Sequence, residues 1–134
     1  MEGYCAGALA ATRKPDQLDR LDQELARQQA IIASGDQLAW VRANMDFHIY
    51  LVGSLNNALF NEWMVPLASH TMRIGFRMNA RRARMEESLQ EHSAVVEAIR
   101  RRDPDRARAL ASKHLYVTTV LMKQLFNDIG LMEK

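Results

Sequence analysis

No stretch of this chain alternates apolar and polar residues with a period of two. Apolar side chains recur instead at three-, four- and seven-residue steps, as at Leu18, Leu21, Leu25 and Ile32, with Asp, Gln and Arg between them. That spacing turns one helical face to a core. Glycine and proline are few and fall where such runs break. The chain is therefore expected to be all-α, an antiparallel bundle of about six helices. Its 134 residues, 48% hydrophobic and 25% charged, suffice for one globular domain with a sizeable core.

The punctuation gives the expected boundaries. A first helix runs from Glu2 to about Thr12, and Pro15 suits the first turn of a second, where its missing N–H has no helical partner in any case. Ser34-Gly35 ends that helix, and Asp36 is the N-cap of a third. The third places Leu38, Val41, Met45, His48 and Val52 on one stripe and ends around Asn56-Asn57. A fourth spans about Ala58 to Asn79 and carries Phe60, Trp63, Met64 and Leu67, with a kink or break at Pro66. The segment from Ala80 to Arg84 is the connector, although Ala and Arg equally extend helices. A fifth helix, about Glu86 to Arg101, carries Leu89, His92, Val95, Val96 and Ile99. Asp103-Pro104 signals a sixth, on which Ala107, Leu110, His114, Val117 and Leu121 share a face. Short connections imply that successive helices are antiparallel neighbours.

Three histidines, His48, His92 and His114, thus sit on the apolar stripes of three different helices, and Asn44 lies one turn before the first. A polar group buried without a partner costs about 2 to 7 kcal/mol depending on reference state, so three such positions in one small core suggest a shared partner. A single histidine on an apolar face is more often a hydrogen-bonded core residue. Three together with Asn44 favour a metal or ligand cup. Residues four apart share a helix face, so Asn44 and His48 can converge on one ion.

Charge and cysteine content exclude some alternatives. The balance of 18 Lys and Arg against 16 Asp and Glu leaves a formal net charge of +2, too little field for this segment alone to bind nucleic acid. Cys5 is the only cysteine, which rules out an intrachain disulfide and fits a reducing compartment. The apolar stretch from Tyr4 to Ala11 is too short to span a bilayer, and a cytoplasmic protein with no membrane partner is expected. A di-iron carboxylate bundle needs Glu-x-x-His pairs on two helices. Glu91 and His92 are adjacent and no such pair occurs. No Gly-rich phosphate loop is present.

The segment Asn44-Met45-Asp46-Phe47-His48, followed by Asn57, resembles the D/N-x-x-F-H motif and later Asn of the FCD domain, the effector-binding half of FadR-type regulators in the GntR family. Glu91-His92, Ala98-Ile99, Asp103, Ala107, Ala109 and His114 resemble the run across that family's last two helices, and Glu2-Gly3-Tyr4 with Ala10-Ala11 is similar to its first. The resemblance covers nearly the whole chain.

It implies an all-α bundle with a central pocket holding a divalent metal, zinc or nickel, through Asn44, His48, His92 and His114. Neutral imidazoles suit such ions, and mixed nitrogen and oxygen ligation with open positions suits a binding site. It also implies one FCD-like effector-binding and dimerisation domain over residues 1–134, a homodimer, and a winged helix–turn–helix domain preceding this segment and absent from it, through which alone DNA is bound. The chain is then a fragment of a transcription regulator, not an enzyme, with no catalytic residue, and its effector is a small carboxylate. The alternatives are a metal-dependent helical-bundle enzyme and a purely structural dimerisation module.

Two departures bear on the site. Asn44 stands where many relatives have Asp and supplies no charge, and Gly7 stands where relatives often have Arg. Arg73 and Arg77, one turn apart on the fourth helix, can pair bidentately with an effector carboxylate or lie solvated at the surface. His70 fits neither the stripe nor the ligand set. The runs Arg81-Arg82-Ala83-Arg84 and Arg100-Arg101-Arg102 are expected to be solvated helix ends.

Overall fold

A computed structural model of the chain describes residues 2–54, 58, 62 and 81–128. These form five long helices: α1 (Glu2–Thr12), α2 (Pro15–Ser34), α3 (Gln37–Gly53), α4 (Arg82–Arg100) and α5 (Pro104–Asp128). No strand occurs among the described residues. The expected fourth helix, with Pro66, His70, Arg73 and Arg77, lies outside them apart from Ala58 and Glu62.

The helix ends follow local chemistry. Pro15 occupies the first turn of α2, where the Lys14 backbone N–H donates to Gln17 Oε1 at 2.8 Å. Gly35 closes α2 in the left-handed region at φ 75°, its N–H reaching Ile31 O and Ile32 O at 3.1 Å. Only glycine adopts that conformation without a Cβ penalty. Asp36 caps α3 by accepting from the Ala39 N–H at 3.0 Å, and Asp103 caps α5 by accepting from the Arg106 N–H at 3.2 Å. Both caps stand where the sequence placed them.

Two boundaries and one stripe position differ from expectation. α3 stops at Gly53, short of Asn56-Asn57. α4 starts at Arg82, so most of the expected connector is helical, because Ala83 and its arginine neighbours are good helix formers and Arg84 and Met85 are buried. Leu38, expected on the α3 stripe, is 46% exposed.

The packing order also departs from a simple up-and-down bundle. α2 packs on α3 and α4, and α4 on α5, but α1 packs on α3, α4 and α5. The joint after α1 is extended at Lys14 (φ −99°, ψ 158°), and the face α1 offers is made of small residues. A Cβ built on Gly3 would collide with Ser112 Oγ and meet Arg108 O at 3.2 Å, and one on Gly7 would meet Pro104 O at 3.1 Å. The two glycines let α1 lie close along the first turns of α5. Gly7 therefore faces α5, and a larger residue there requires that helix to move.

A Gly3→Val protein is expected to lose about 1–3 kcal/mol of stability, because overpacked sites force backbone shifts. The exposed neighbour supplies the control: Tyr4→Val should change stability by no more than about 0.5 kcal/mol. Urea unfolding of the two variants checks this, and equal midpoints would sink it.

One apolar cluster, including Leu9, Leu21, Phe47, Leu51, Val96 and Ile99, fills the space between α1 and its neighbours. A second, of Ile32, Trp40, Val41 and Met85, lies among α2, α3 and α4. Arg13 fastens the α1–α2 joint to the end of α4, donating to Ile99 O at 3.0 Å and Arg100 O at 2.8 Å. Among the described residues, no helix is long and apolar enough to cross a membrane.

Candidate metal centre

The helical register that makes the apolar stripes also carries polar side chains inward. His48 on α3, His92 on α4 and His114 on α5 are all buried, at 8%, 1% and 6% exposure. The structure brings the three together: one ring nitrogen from each lies within 4.8 Å of the others. The rings of His48 and His114 stack at 5.2 Å, and His92 stands edge-on to both. His92 is also stacked on Phe47 at 4.4 Å, which ties the central ring to the apolar core.

Each ring has an oxygen partner at Nδ1. His48 Nδ1 lies 2.7 Å from Glu2 Oε2, His92 Nδ1 lies 2.8 Å from Gln28 Oε1, and His114 Nδ1 lies 2.9 Å from Glu91 Oε1. An oxygen acceptor at Nδ1 places the proton there and leaves the Nε2 lone pair for another partner. Metal-ligating histidines are held in this way, with the distal N–H donated to a carboxylate or carbonyl. His92 Nε2 and His114 Nε2 face each other at 3.3 Å. Two imidazole ligands on a tetrahedral ion, each at about 2.0–2.1 Å, sit at about that separation.

Asn44, the fourth expected ligand, lies one turn before His48, and its Oδ1 is buried with no hydrogen-bond partner. Buried acceptors are rarely left unpaired, so this oxygen has a lone pair free for a donor or a cation. Asn44 brings no charge to the set. The negative charges, Glu2 and Glu91, stand behind the imidazoles.

Electrostatics separates the three rings. Burial pushes His92 well below its ordinary range, and the charges of His48, His114 and Arg84 add to that. Burial and His48 also lower His114, against the pull of Glu91. His48 is pushed down by burial but held above its ordinary value by the charge and hydrogen bond of Glu2. Burial alone would raise Glu2, yet its pairing with His48 holds it low. Glu91 is likewise raised by burial and brought below its usual range by hydrogen bonds from Arg84 and His114. His92 and His114 are therefore neutral near pH 7, the form that binds metals.

Arg84 is a correction to the sequence reading. It is not a solvated helix end but a buried cation on α4, with 9% exposure, donating to both oxygens of Glu91 at 3.0 and 3.3 Å. Steps of four residues carry Arg84, Ser88 and His92 along one face, and that register marks it. Gln28 was also missed. It falls between Leu25 and Ile32 on the α2 stripe and is fully buried, a polar residue where the pattern asks for an apolar one. Glu2 keeps the same register with Ala6 and Leu9. Arg73 and Arg77 lie outside the described residues, so their relation to the site rests on sequence.

Comparison with known proteins relates the chain to a domain family, a repressor and a solved structure. Residues 1–116 match the family model of the FCD domain. The chain is 31% identical over 108 residues to the HTH-type transcriptional repressor NanR of Cronobacter sakazakii (strain ATCC BAA-894), covering 75% of this chain and 38% of that protein. It thus spans well under half the length of this relative. The solved structure of Streptococcus agalactiae GntR shares the fold with a TM-score of 0.71 at 20% identity, over 92% of this chain and 54% of that one.

Proposed function

The chain belongs to the FCD domain family, and from that premise we propose that it is the effector-sensing part of a GntR-type transcription regulator, with a divalent metal in its pocket. Membership of that family, together with a transcriptional repressor among its relatives, supports a regulator and not an enzyme. The metal, zinc or nickel, is held by His48, His92 and His114, with Asn44 as the fourth ligand. One observation carries this reading: three buried imidazoles converge with every Nδ1 already given to an oxygen acceptor.

When bound, the ion supplies a positive centre for an anionic ligand. Four neutral ligands leave its charge uncompensated, so a small carboxylate is the effector class that matches the site. The chain's own residues do the rest. Glu2, Gln28 and Glu91 fix the rings, Phe47 and Trp40 line His92 on the apolar side, and Arg84 holds Glu91 in place. Arg73 and Arg77 belong to this proposal as partners of the effector carboxylate, on sequence grounds. The domain acts as a cytoplasmic homodimer, and DNA is bound by a winged helix–turn–helix outside this chain. An effector shifts the regulator only as far as it prefers one helix arrangement over another.

Elemental analysis of tag-free protein is expected to find about one zinc or nickel per chain, and small carboxylates are expected to raise the melting temperature only while the metal is present. A ligand at a hundred times its Kd stabilises by about 2.7 kcal/mol, well within the reach of thermal-shift screening. Folded wild type that takes up no metal overturns the centre. Turnover of a carboxylate would indicate a metal-dependent enzyme, and a dimer that answers to neither metal nor ligand would indicate a structural module.

A further inference from the structure

Gln28 is fully buried and has its Oε1 2.8 Å from His92 Nδ1, while its Nε2 has no hydrogen-bond partner. His92 is also fully enclosed, and the polar partners of its ring are Gln28 on one side and His114 Nε2 on the other. His114 in turn gives its Nδ1 to Glu91, whose carboxylate is paired with Arg84 and can only accept. A neutral His114 therefore carries its proton on Nδ1 and presents a bare Nε2 to His92.

This arrangement admits two states in which the His92 ring is satisfied. With an ion between the rings, His92 must also present a bare Nε2, so its proton sits on Nδ1 and Gln28 must offer its carbonyl oxygen. Without an ion, two bare nitrogens 3.3 Å apart are unsatisfied. His92 then carries its proton on Nε2 and donates it to His114, and its bare Nδ1 needs a donor. A half-turn of the Gln28 amide supplies one. The oxygen and nitrogen of an amide are assigned from the hydrogen-bond network, and the arrangement with oxygen toward His92 is the one that suits a bound ion.

We propose that Gln28 is a positioning residue of the metal centre, whose amide follows the tautomer of His92 and gives it a partner in both the ion-free and the ion-bound state. This rests on the metal reading above. A carboxylate at the same place, as behind His48 and His114, would serve only the ion-bound tautomer. An amide keeps the His92 ring neutral and bonded at both nitrogens without the ion, so the ring stays in place when the ion leaves.

The test compares zinc affinity and the His92 tautomer in wild type, Gln28→Glu and Gln28→Met. Changes in the outer ligand shell typically alter metal affinity by about 10–100-fold. Gln28→Met is expected to bind zinc about tenfold or more weakly with its helical circular dichroism intact, and Gln28→Glu to bind at least as tightly as wild type. Nitrogen-15 spectra of histidine-labelled wild type should show the His92 proton on Nε2 without zinc and on Nδ1 with it, while Gln28→Glu keeps it on Nδ1 in both. Unchanged affinity in Gln28→Met, Gln28→Glu as weak as Gln28→Met, or one tautomer throughout in wild type would each overturn the role of Gln28. Wild type that binds no zinc would instead remove the metal centre and this inference with it. Should Gln28→Met fail to fold, the wild-type tautomers and Gln28→Glu decide the matter.

Discussion

A His92→Ala protein is expected to bind zinc or nickel at least about a hundredfold more weakly than wild type, because loss of a ligand exceeds the 10–100-fold range typical of outer-shell changes. His92 is the central ring of the cluster, edge-on to both other histidines and stacked on Phe47. Its removal takes away one ligand and leaves the others without a fixed spacing. It also opens a cavity in the core, and large-to-small changes at buried rings cost several kcal/mol, about 3–5 for Phe or Trp to Ala. His92→Gln separates the two effects, since it fills more of the space and cannot restore the imidazole. Isothermal titration with the metal should show both variants weak, and urea unfolding of the ion-free proteins should show His92→Ala as the less stable. Retention of wild-type affinity in either variant would exclude His92 as a ligand.

Stripping the metal is expected to produce the other large effect, a loss of stability, and the stripped protein should weaken further in acid. An ion held at a hundred times its Kd contributes about 2.7 kcal/mol, and chelation removes it. In the ion-free protein His92 and His114 titrate below the ordinary 6.5, chiefly because they are buried. Between those lowered values and 6.5 the unfolded chain binds protons that the folded one does not, so stability rises with pH across that window. The contribution is complete above 6.5 and is lost as the pH falls. His48 runs the other way: its folded value is raised, so its contribution is full below 6.5 and is lost as pH rises through the folded value. Two lowered rings, one of them far down, outweigh one raised ring. Urea midpoints of chelated protein should therefore fall from about pH 7 to about pH 5, the range in which histidines titrate. Metal affinity should fall over the same range, since protons compete for the imidazoles. A midpoint that stays level or rises on acidification would contradict the electrostatic account.

Much of this centre was legible in the sequence, for a physical reason. The same 3.6-residue period that buries Val96 and Ile99 buries His92, so a polar residue in an apolar stripe announces itself. Asn44 was read from the same geometry, one turn from His48, and its Oδ1 is buried without a partner. The Asp36 and Asp103 caps and the left-handed Gly35 were equally local and equally visible. What escaped was the outer layer, because a residue that supports a ligand does so from another helix. Nothing in the spacing of α2 says that Gln28 meets His92, 64 positions later. Arg84 was hidden by its company, since a run rich in arginine reads as solvated and only its third arginine turns inward. The docking of α1 away from α2 was also beyond local reading. It depends on whether Gly3 and Gly7 meet another backbone, which no neighbour in sequence can decide.

At Gly3 and Gly7, α1 brings no side chain of its own to cushion its approach to α5. Helices parted by long side chains can slide while rotamers absorb the shift, but backbones in direct contact have no such play. α5 carries His114, and α1 carries Glu2, the partner of His48. The two helices therefore work as a single stiff beam gripped by the pocket at two points. A small displacement at the pocket should reach the far end of α1 nearly undiminished, as a tilt and not as a local rearrangement.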